Sequence, residues 1–128
     1  MNNLETNKVH DFWNSESCGE RYALGDSNVE KFLNEEKSRY KLEPYIKKFA
    51  NFDEYKNKDV LEIGVGFGCD HSQIARQKPN SLTGIDLTQR AIDNTELRFK
   101  NLGLNSLLKT DNAEKLSFED NTFEAIYS

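Results

Sequence analysis

From residue 59 onward the polarity of the chain alternates between short apolar runs and longer stretches with apolar residues every three or four positions. That is the rhythm of strands alternating with helices. Val60, Leu61 and Ile63 form a run interrupted only by Glu62, as expected for a parallel strand buried on both faces. Asp70 to Gln77 predicts a helix capped by Asp70, with Ile74 and Ala75 turned inward. Ser81 to Ile85 predicts a second strand with Asp86 at its carboxyl end. Thr88 to Leu102 predicts an amphipathic helix whose inner face carries Ala91, Ile92, Thr95, Phe99 and Leu102, with Gly103 just past its end. Leu107 to Thr110 then reads as a third strand, and a turn at Asp120 to Thr122 leads into a fourth at Phe123 to Tyr127. Helical crossovers between successive strands require an α/β fold with a parallel sheet.

The first part of the chain has a different pattern. Ser27 to Phe52 predicts two helices broken at Pro44. Val29, Phe32, Leu33 and Tyr40 lie on one face of the first, and Tyr45, Ile46 and Phe49 form the apolar side of the second. The charged runs 30–39 and 46–58 are expected to be solvated faces with local ion pairs. Upstream, Val9, Phe12 and Trp13 stand at helical spacing, so a short helix packed on the domain is expected. The polar stretch from Asn14 to Tyr22 offers an alternative, a lid over a ligand. Residues 1–52 are accordingly expected to form an N-terminal helical cap or lid segment, and residues 53–128 the sheet.

Composition narrows the field of functions. The 128 residues, 36% hydrophobic and 30% charged, suit one domain. No run approaches the ~20 apolar residues of a membrane helix, and the first residues lack a signal-peptide profile, so a cytoplasmic protein that does not engage membranes is expected. Cys18 and Cys69, with His10 and His71, show no familiar zinc spacing, and a reduced, metal-free chain is expected. Cys18 has no assignable histidine partner that would make it a nucleophile. A net charge of −5 argues against a nucleic-acid track and for a small-molecule substrate.

The chemistry concentrates in the loop after the first strand. Gly64, Gly66 and Gly68 remove side chains where the backbone turns and where a ligand can approach it closely. Their spacing from Glu62 is E-x-G-x-G-x-G, whereas a dinucleotide fingerprint needs its third glycine at the position held by Cys69. Asp70 adds a negative charge at the start of the following helix, which would repel pyrophosphate but not a cation. Asp86 follows the glycines by about 20 residues, where a carboxylate can accept bonds from both ribose hydroxyls; alternatively it merely precedes a helix cap at Thr88.

The runs VLEIGVGFGCDHSQIA (60–75), LTGIDLT (82–88) and NAEKLSFEDNTFEAIYS (112–128), in that order, resemble the cofactor-binding half of class I, seven-strand S-adenosylmethionine-dependent methyltransferases. The resemblance is to the small-molecule and quinone-biosynthesis-like group. It implies a Rossmann-like parallel sheet with flanking helices, preceded by the helical cap and stopping after the fourth strand. The implied cofactor is S-adenosyl-L-methionine and the implied partner a small-molecule methyl acceptor. Gly64, Gly66 and Gly68 would approach the methionine and ribose portions. Glu62 would orient the loop or face the ammonium group; its plainer alternative is an internal hydrogen-bond anchor. Asp86 and Leu87 would hold the ribose and adenine, with Asn112 and Ala113 closing the adenine side. Asn112 stands where the family typically has an acid, so that contact weakens or shifts to Asp111, unless the corner is only an Asx turn.

Arg39 and Tyr40 are further candidates for the cofactor carboxylate. No catalytic base is assigned: Tyr22 and His71 lack geometric support, and His71 reads as a partly exposed helix residue. A nicotinamide-type dinucleotide domain and a non-catalytic adenosyl-binding fragment are the competing readings. The fourth strand would leave an apolar sheet edge, which predicts pairing with a second copy of the chain.

Overall fold

Strand β1 (Asp59–Ile63) lies inside a four-stranded parallel sheet formed with β2 (Ser81–Asp86), β3 (Leu107–Thr110) and β4 (Ala125–Tyr127), in the order β3-β2-β1-β4. The structure is a computed structural model that describes residues 6–7 and 28–128. The expected helix around Val9, Phe12 and Trp13, the stretch from Asn14 to Tyr22 and Cys18 lie outside the described residues. Before the sheet come α1 (Asn28–Leu42), α2 (Tyr45–Ala50) and a short 3₁₀ turn (Phe52–Tyr55); α3 (Cys69–Arg76) joins β1 to β2 and α4 (Gln89–Leu102) joins β2 to β3. The predicted α/β class and strand order along the chain are thus observed.

Local chemistry explains most boundaries. Thr88 caps α4 by accepting the Ala91 amide at 3.2 Å, and Gly103 ends it in the left-handed conformation at φ 67°. The cap of α3 differs from expectation. It falls on Gly68, at φ 84°, and leaves Asp70 inside the first turn. The Asp70 carboxylate does not cap because side chains from α1 and β4 occupy it. Gly68 also has a steric role: a Cβ there would meet Thr95 of α4 at 2.9 Å. The fourth strand is shorter than the predicted Phe123–Tyr127. Glu124 is tied to Asp59 through its amide and side chain, and Phe123 packs edge-on to Phe118.

Val60, Ile74, Leu82 and Phe99 form a core between sheet and helices, extended by Ala50 and Phe52 of the preceding segment. The apolar faces predicted for the first two helices are only partly used. Phe32 is buried against Phe67, but Val29 and Leu33 are exposed; on α2 it is Ile46 and Ala50 that face inward, while Phe49 is 87% exposed.

The reason is that α1 docks through charge. Arg98 of α4, fully enclosed, donates to Glu35 at 2.8 Å, to Glu36 at 3.1 Å and to the carbonyls of Phe32 and Phe67. Glu36 also accepts from Arg76 and Ser72. Part of the run expected to be a solvated face is therefore a buried ionic seam. Burial pushes the Glu35 carboxyl up, and the neighbouring guanidinium opposes it.

Removing one partner of such a seam strands the other charge, at a cost of ~3–5 kcal/mol, whereas replacing both by apolar side chains can be nearly neutral. Arg98→Met should therefore lower unfolding free energy by ~3–5 kcal/mol in urea denaturation, and adding Glu35→Leu should restore part of the loss. Equal losses for the single and double variants would show that the seam does not bind α1 to the sheet.

Candidate functional site

The chain lays β1, β2 and β3 outward in one direction and then returns to place β4 on the other side of β1. Open α/β sheets bind ligands at the carboxyl ends of the strands where the order reverses in this way. A cavity of about 190 Å³ opens there, walled by Glu62, the 64–68 loop, Asp70, Arg39 and Tyr127. Another groove, about 760 Å³ and more open, lies at the amino ends of β2 and β3 and contains Lys78 and Ser106 but no part of the glycine loop.

The loop is pinned from below. The Gly64 and Val65 amides both donate to the Ile85 carbonyl, at 2.8 and 3.1 Å, and the Gly66 amide donates to the Asp86 carboxylate at 3.0 Å. The other oxygen of Asp86 accepts the Thr88 amide at 3.1 Å, and Thr95 donates to the Gly66 carbonyl. Asp86 therefore lies under the glycines and also precedes a working cap at Thr88. The cap it precedes is observed, and Asp86, like Leu87, Asn112 and Ala113, is not among the residues that wall the cavity.

Asp70 accepts four hydrogen bonds: the Arg39 fork at 2.9 and 2.8 Å, and the Tyr40 and Tyr127 hydroxyls at 2.8 Å each. Burial pushes its carboxyl up, but the guanidinium and the two phenols outweigh that and hold it below the usual carboxylate range. The expectation that Asp70 presents a bare negative charge to a ligand is corrected, because Arg39 neutralises it on the spot. Arg39 and Tyr40, candidates for a ligand carboxylate, are engaged by Asp70, although Arg39 also reaches the cavity wall.

Glu62 is enclosed within the sheet, with Oε2 3.2 Å from Nδ1 of His71, and neither atom has a hydrogen-bond partner. Burial pushes Glu62 well above the usual carboxylate range; Asp70 adds to this, and Arg39 opposes it. Burial likewise holds His71 down at about 3, so it is a neutral imidazole at physiological pH. His71 is fully buried, which corrects its reading as a partly exposed helix residue. The absent side chain of Gly84 makes room for it: a Cβ there would stand 2.7 Å from His71 Nε2. That nitrogen meets Ser106 Oγ at 2.8 Å.

The corner after β3 is built by its own side chains. The Asp111 amide donates to the Asp86 carbonyl, and the Asp111 carboxylate accepts from the Asn112 amide and from Ser117. Asn112 Oδ1 accepts the Glu114 amide at 2.9 Å, an Asx turn. Asn112, Ala113 and Leu87 stand outside the cavity, whereas Glu62, Gly64, Gly66 and Gly68 share its wall. Sequence reasoning gave Tyr127 and Glu35 no role, and both line the cavity. Among the described residues no cluster of His, Cys, Asp and Glu could hold a metal ion, and no helix is long and apolar enough to cross a membrane.

Residues 60–128 match the family described as "Methyltransferase domain". The 24-methylenesterol C-methyltransferase 3 of Arabidopsis thaliana is 32% identical over 71 residues, covering 54% of this chain and 20% of its own. A Pyrococcus horikoshii OT3 protein superposes with a TM-score of 0.57 at 28% identity, covering 72% of this chain and 42% of that one. Geranyl diphosphate C-methyltransferase from Streptomyces coelicolor A3(2), solved with Mg²⁺, geranyl diphosphate and S-adenosyl-L-homocysteine, gives 0.64 at 20% identity, with coverage of 94% and 52%. The chain spans about a fifth of the curated relative and about half or less of these two solved ones.

The depressed Asp70 carboxyl ties stability to acidity. The folded state holds Asp70 ionised more tightly than the unfolded chain does, so its contribution is fully present above the unfolded value of 3.8 and disappears as pH falls through the lower folded value. Asp70→Asn should cost ~2 kcal/mol near pH 7 and flatten the loss of stability below pH 4, measured by urea denaturation across pH. An unchanged acid limb would mean that the Arg39 fork does not hold the charge.

Proposed function

The chain belongs to the methyltransferase-domain family, which matches residues 60–128, and from that premise we propose that it takes part in transferring a methyl group from S-adenosyl-L-methionine to a small-molecule acceptor. The observation that carries this reading is the buried, unpartnered carboxyl of Glu62 facing a cavity beside a glycine loop whose amide is bonded to Asp86. An acidic wall next to bare backbone suits a ligand with a cationic amino-acid end and an adenosine end. Cys69 in place of a third glycine disfavours a pyrophosphate.

In this reading the cavity takes the amino-acid end only, since about 190 Å³ falls below the ~300 Å³ of the smaller drug-sized pockets. Gly64, Gly66 and Gly68 let that end lie against the backbone, and Glu62 faces its ammonium group. The adenosine then runs over the open shelf from Gly66 toward the β3 corner, with Asp86 accepting from the ribose and Leu87, Asn112 and Ala113 bordering the adenine. Asp86 keeps acceptor capacity for this beyond its bonds to Gly66 and Thr88, because a carboxylate has about four lone-pair sites. The cofactor supplies an electrophilic methyl on a sulfonium, so the protein's contribution is binding, orientation and exclusion of water. His71, neutral and enclosed, is not placed to act as a base on an acceptor.

Residues 1–52 serve in this proposal as a cap, with α1 held over the loop by the Arg98 seam. A small acceptor rather than a nucleic acid is supported by the net charge of −5. Cysteine-poor composition supports action in the reducing cytoplasm. Self-association through β4 is supported by its free outer edge and by Ile126, 59% exposed.

Calorimetry on residues 1–128 should detect binding of S-adenosyl-L-methionine and S-adenosyl-L-homocysteine but not of NAD. Asp86→Ala should weaken binding about 10- to 100-fold, the loss of ~1.5–3 kcal/mol from a charge-assisted bond. Uptake of NAD in preference to both adenosyl compounds would overturn the proposal. Sedimentation of the same species should show a concentration-dependent dimer that Ile126→Lys abolishes, and a strict monomer would remove the β4 edge as an interface.

A further inference from the structure

Phe49 is the most exposed large apolar side chain among the described residues, at 87%. Tyr45 stands one turn earlier on the same face of α2 and is 63% exposed, and Leu42, at the end of α1, is 60% exposed. Single apolar residues on a surface are ordinary, but three between positions 42 and 49 make a patch, and exposed patches mark contact sites. The core does not use this one, because α2 is held to it by Ile46 and Ala50.

The charge around the patch is unlike that of the chain as a whole. Residues 37–49 hold Lys37, Arg39, Lys41, Lys47 and Lys48 against a single acid, Glu43, in a chain whose net charge is −5. Glu43 is itself paired with Arg39 at 3.5 Å. The four lysines are exposed, and among the described residues none of them forms an ion pair. Lys41 and Lys48 directly precede Leu42 and Phe49 in the chain, and Lys47 lies over the Tyr40 ring at 4.6 Å. Acids resume only at Asp53 and Glu54, on the 3₁₀ turn.

We propose that this corner docks on an anionic lipid bilayer. Leu42, Tyr45 and Phe49 enter the headgroup region, Lys41 and Lys48 meet the lipid phosphates and carboxylates, and Lys37 and Lys47 add to the attracting field. The acidic balance of the whole chain does not oppose this, since at physiological ionic strength exposed charges separated by more than ~8 Å are largely screened and the local lysines decide. Lysine suits the role because its apolar stem can lie along buried side chains while the ammonium stays in water. Other occupants fit less well. Protein interfaces favour arginine and are depleted of lysine, and a second copy of the chain would bring like charges face to face. A single strand of nucleic acid tracks a groove, whereas Phe49 at this exposure projects from the surface. The absence of a helix able to cross a membrane among the described residues has no bearing on a contact made at the surface. Docking is independent of what the cavity binds, but it adjoins the cap, because Arg39 of the cavity wall lies between Lys37 and Lys41 on α1.

The test is co-sedimentation of the chain with vesicles of phosphatidylcholine alone and of phosphatidylcholine mixed with phosphatidylserine. The unaltered chain should bind the mixed vesicles and not the neutral ones, and should be released as added salt shortens the Debye length from ~10 Å to ~3 Å. Lys41→Gln combined with Lys48→Gln should weaken binding about 25-fold, at about fivefold for each lysine near an anionic surface. Phe49→Ser should weaken it about tenfold or more through lost apolar burial. All three positions are exposed, so these variants should unfold in urea with the midpoint of the unaltered chain. Lys100→Gln, an exposed lysine of α4, should leave vesicle binding unchanged. Failure to bind the mixed vesicles, equal binding to both kinds, or binding indifferent to Phe49→Ser overturns the proposal. So does a single-stranded oligonucleotide that displaces the chain from the vesicles and is itself lost in the lysine variant, or a self-association without lipid that Phe49→Ser abolishes.

Discussion

The guanidinium of Arg98 cannot give up its charge on burial, so its enclosure requires acceptors, and the chain supplies them from two places. Glu35 and Glu36 come from α1, a carbonyl comes from the same helix at Phe32, and another comes from Phe67 in the glycine loop. A helix, a crossover and the glycine loop are thereby fixed relative to one another by one side chain. Apolar contact alone would not do this, since Val29 and Leu33 of α1 remain exposed and Phe32 is the one large apolar side chain it buries. The seam also restrains the 66–68 backbone from above, while Asp86 and Ile85 hold the loop from below.

Around the cavity the protein handles buried acids in two opposite ways. Asp70 is kept ionised by the Arg39 fork and two tyrosine hydroxyls, which costs it any free charge. Glu62, within the sheet, is bonded by no cation and is pushed toward its neutral form by burial and by Asp70, against the pull of Arg39. Two carboxyl groups near one loop are therefore shifted in opposite directions by their surroundings. Asp70 closes the cavity by joining α1, α3 and β4, whereas Glu62 Oε2, like His71 Nδ1 beside it and Arg98 Nε, has no hydrogen-bond partner.

How much of this was legible in the sequence follows from the range of each interaction. The strand β1, the glycine loop, the cap at Thr88 and the end of α4 at Gly103 depend on neighbours in the chain, and their signals were present in the pattern. Placing Glu62 and the three glycines together needed only that local order, and the structure sets them on one wall. The contacts that were not legible join residues far apart. Glu35 and Arg98 are separated by 63 positions and Asp70 and Tyr127 by 57, so a run such as EKFLNEEKSR looked like a solvated face. The same blindness moved the cap of α3: Asp70 has the chemistry of a cap, but bonds from α1 and β4 outcompete it. His71 was misjudged because its cavity exists only where Gly84 of the neighbouring strand leaves space.

Among the buried side-chain atoms of the described residues without a hydrogen-bond partner, Glu62 Oε2 is the one that belongs to a carboxyl. Burying a carboxyl without a full set of partners costs on the order of 1–3 kcal/mol, and a domain of this size has little stability to spare. Glu62 interrupts an otherwise apolar stretch of β1. Its neighbours along β1 are Leu61 and Ile63, and the facing position on β2 is Gly84. An apolar residue there would continue the buried strand, whereas the acid brings Oε2 to 3.2 Å from His71 Nδ1 and onto the cavity wall. The position agrees, because Glu62 is the last fully buried residue of β1 before the chain turns into the glycine loop, where the sheet order reverses and the cavity opens. The unpartnered oxygen of Glu62 therefore stands where β1 gives way to the glycine loop and the cavity.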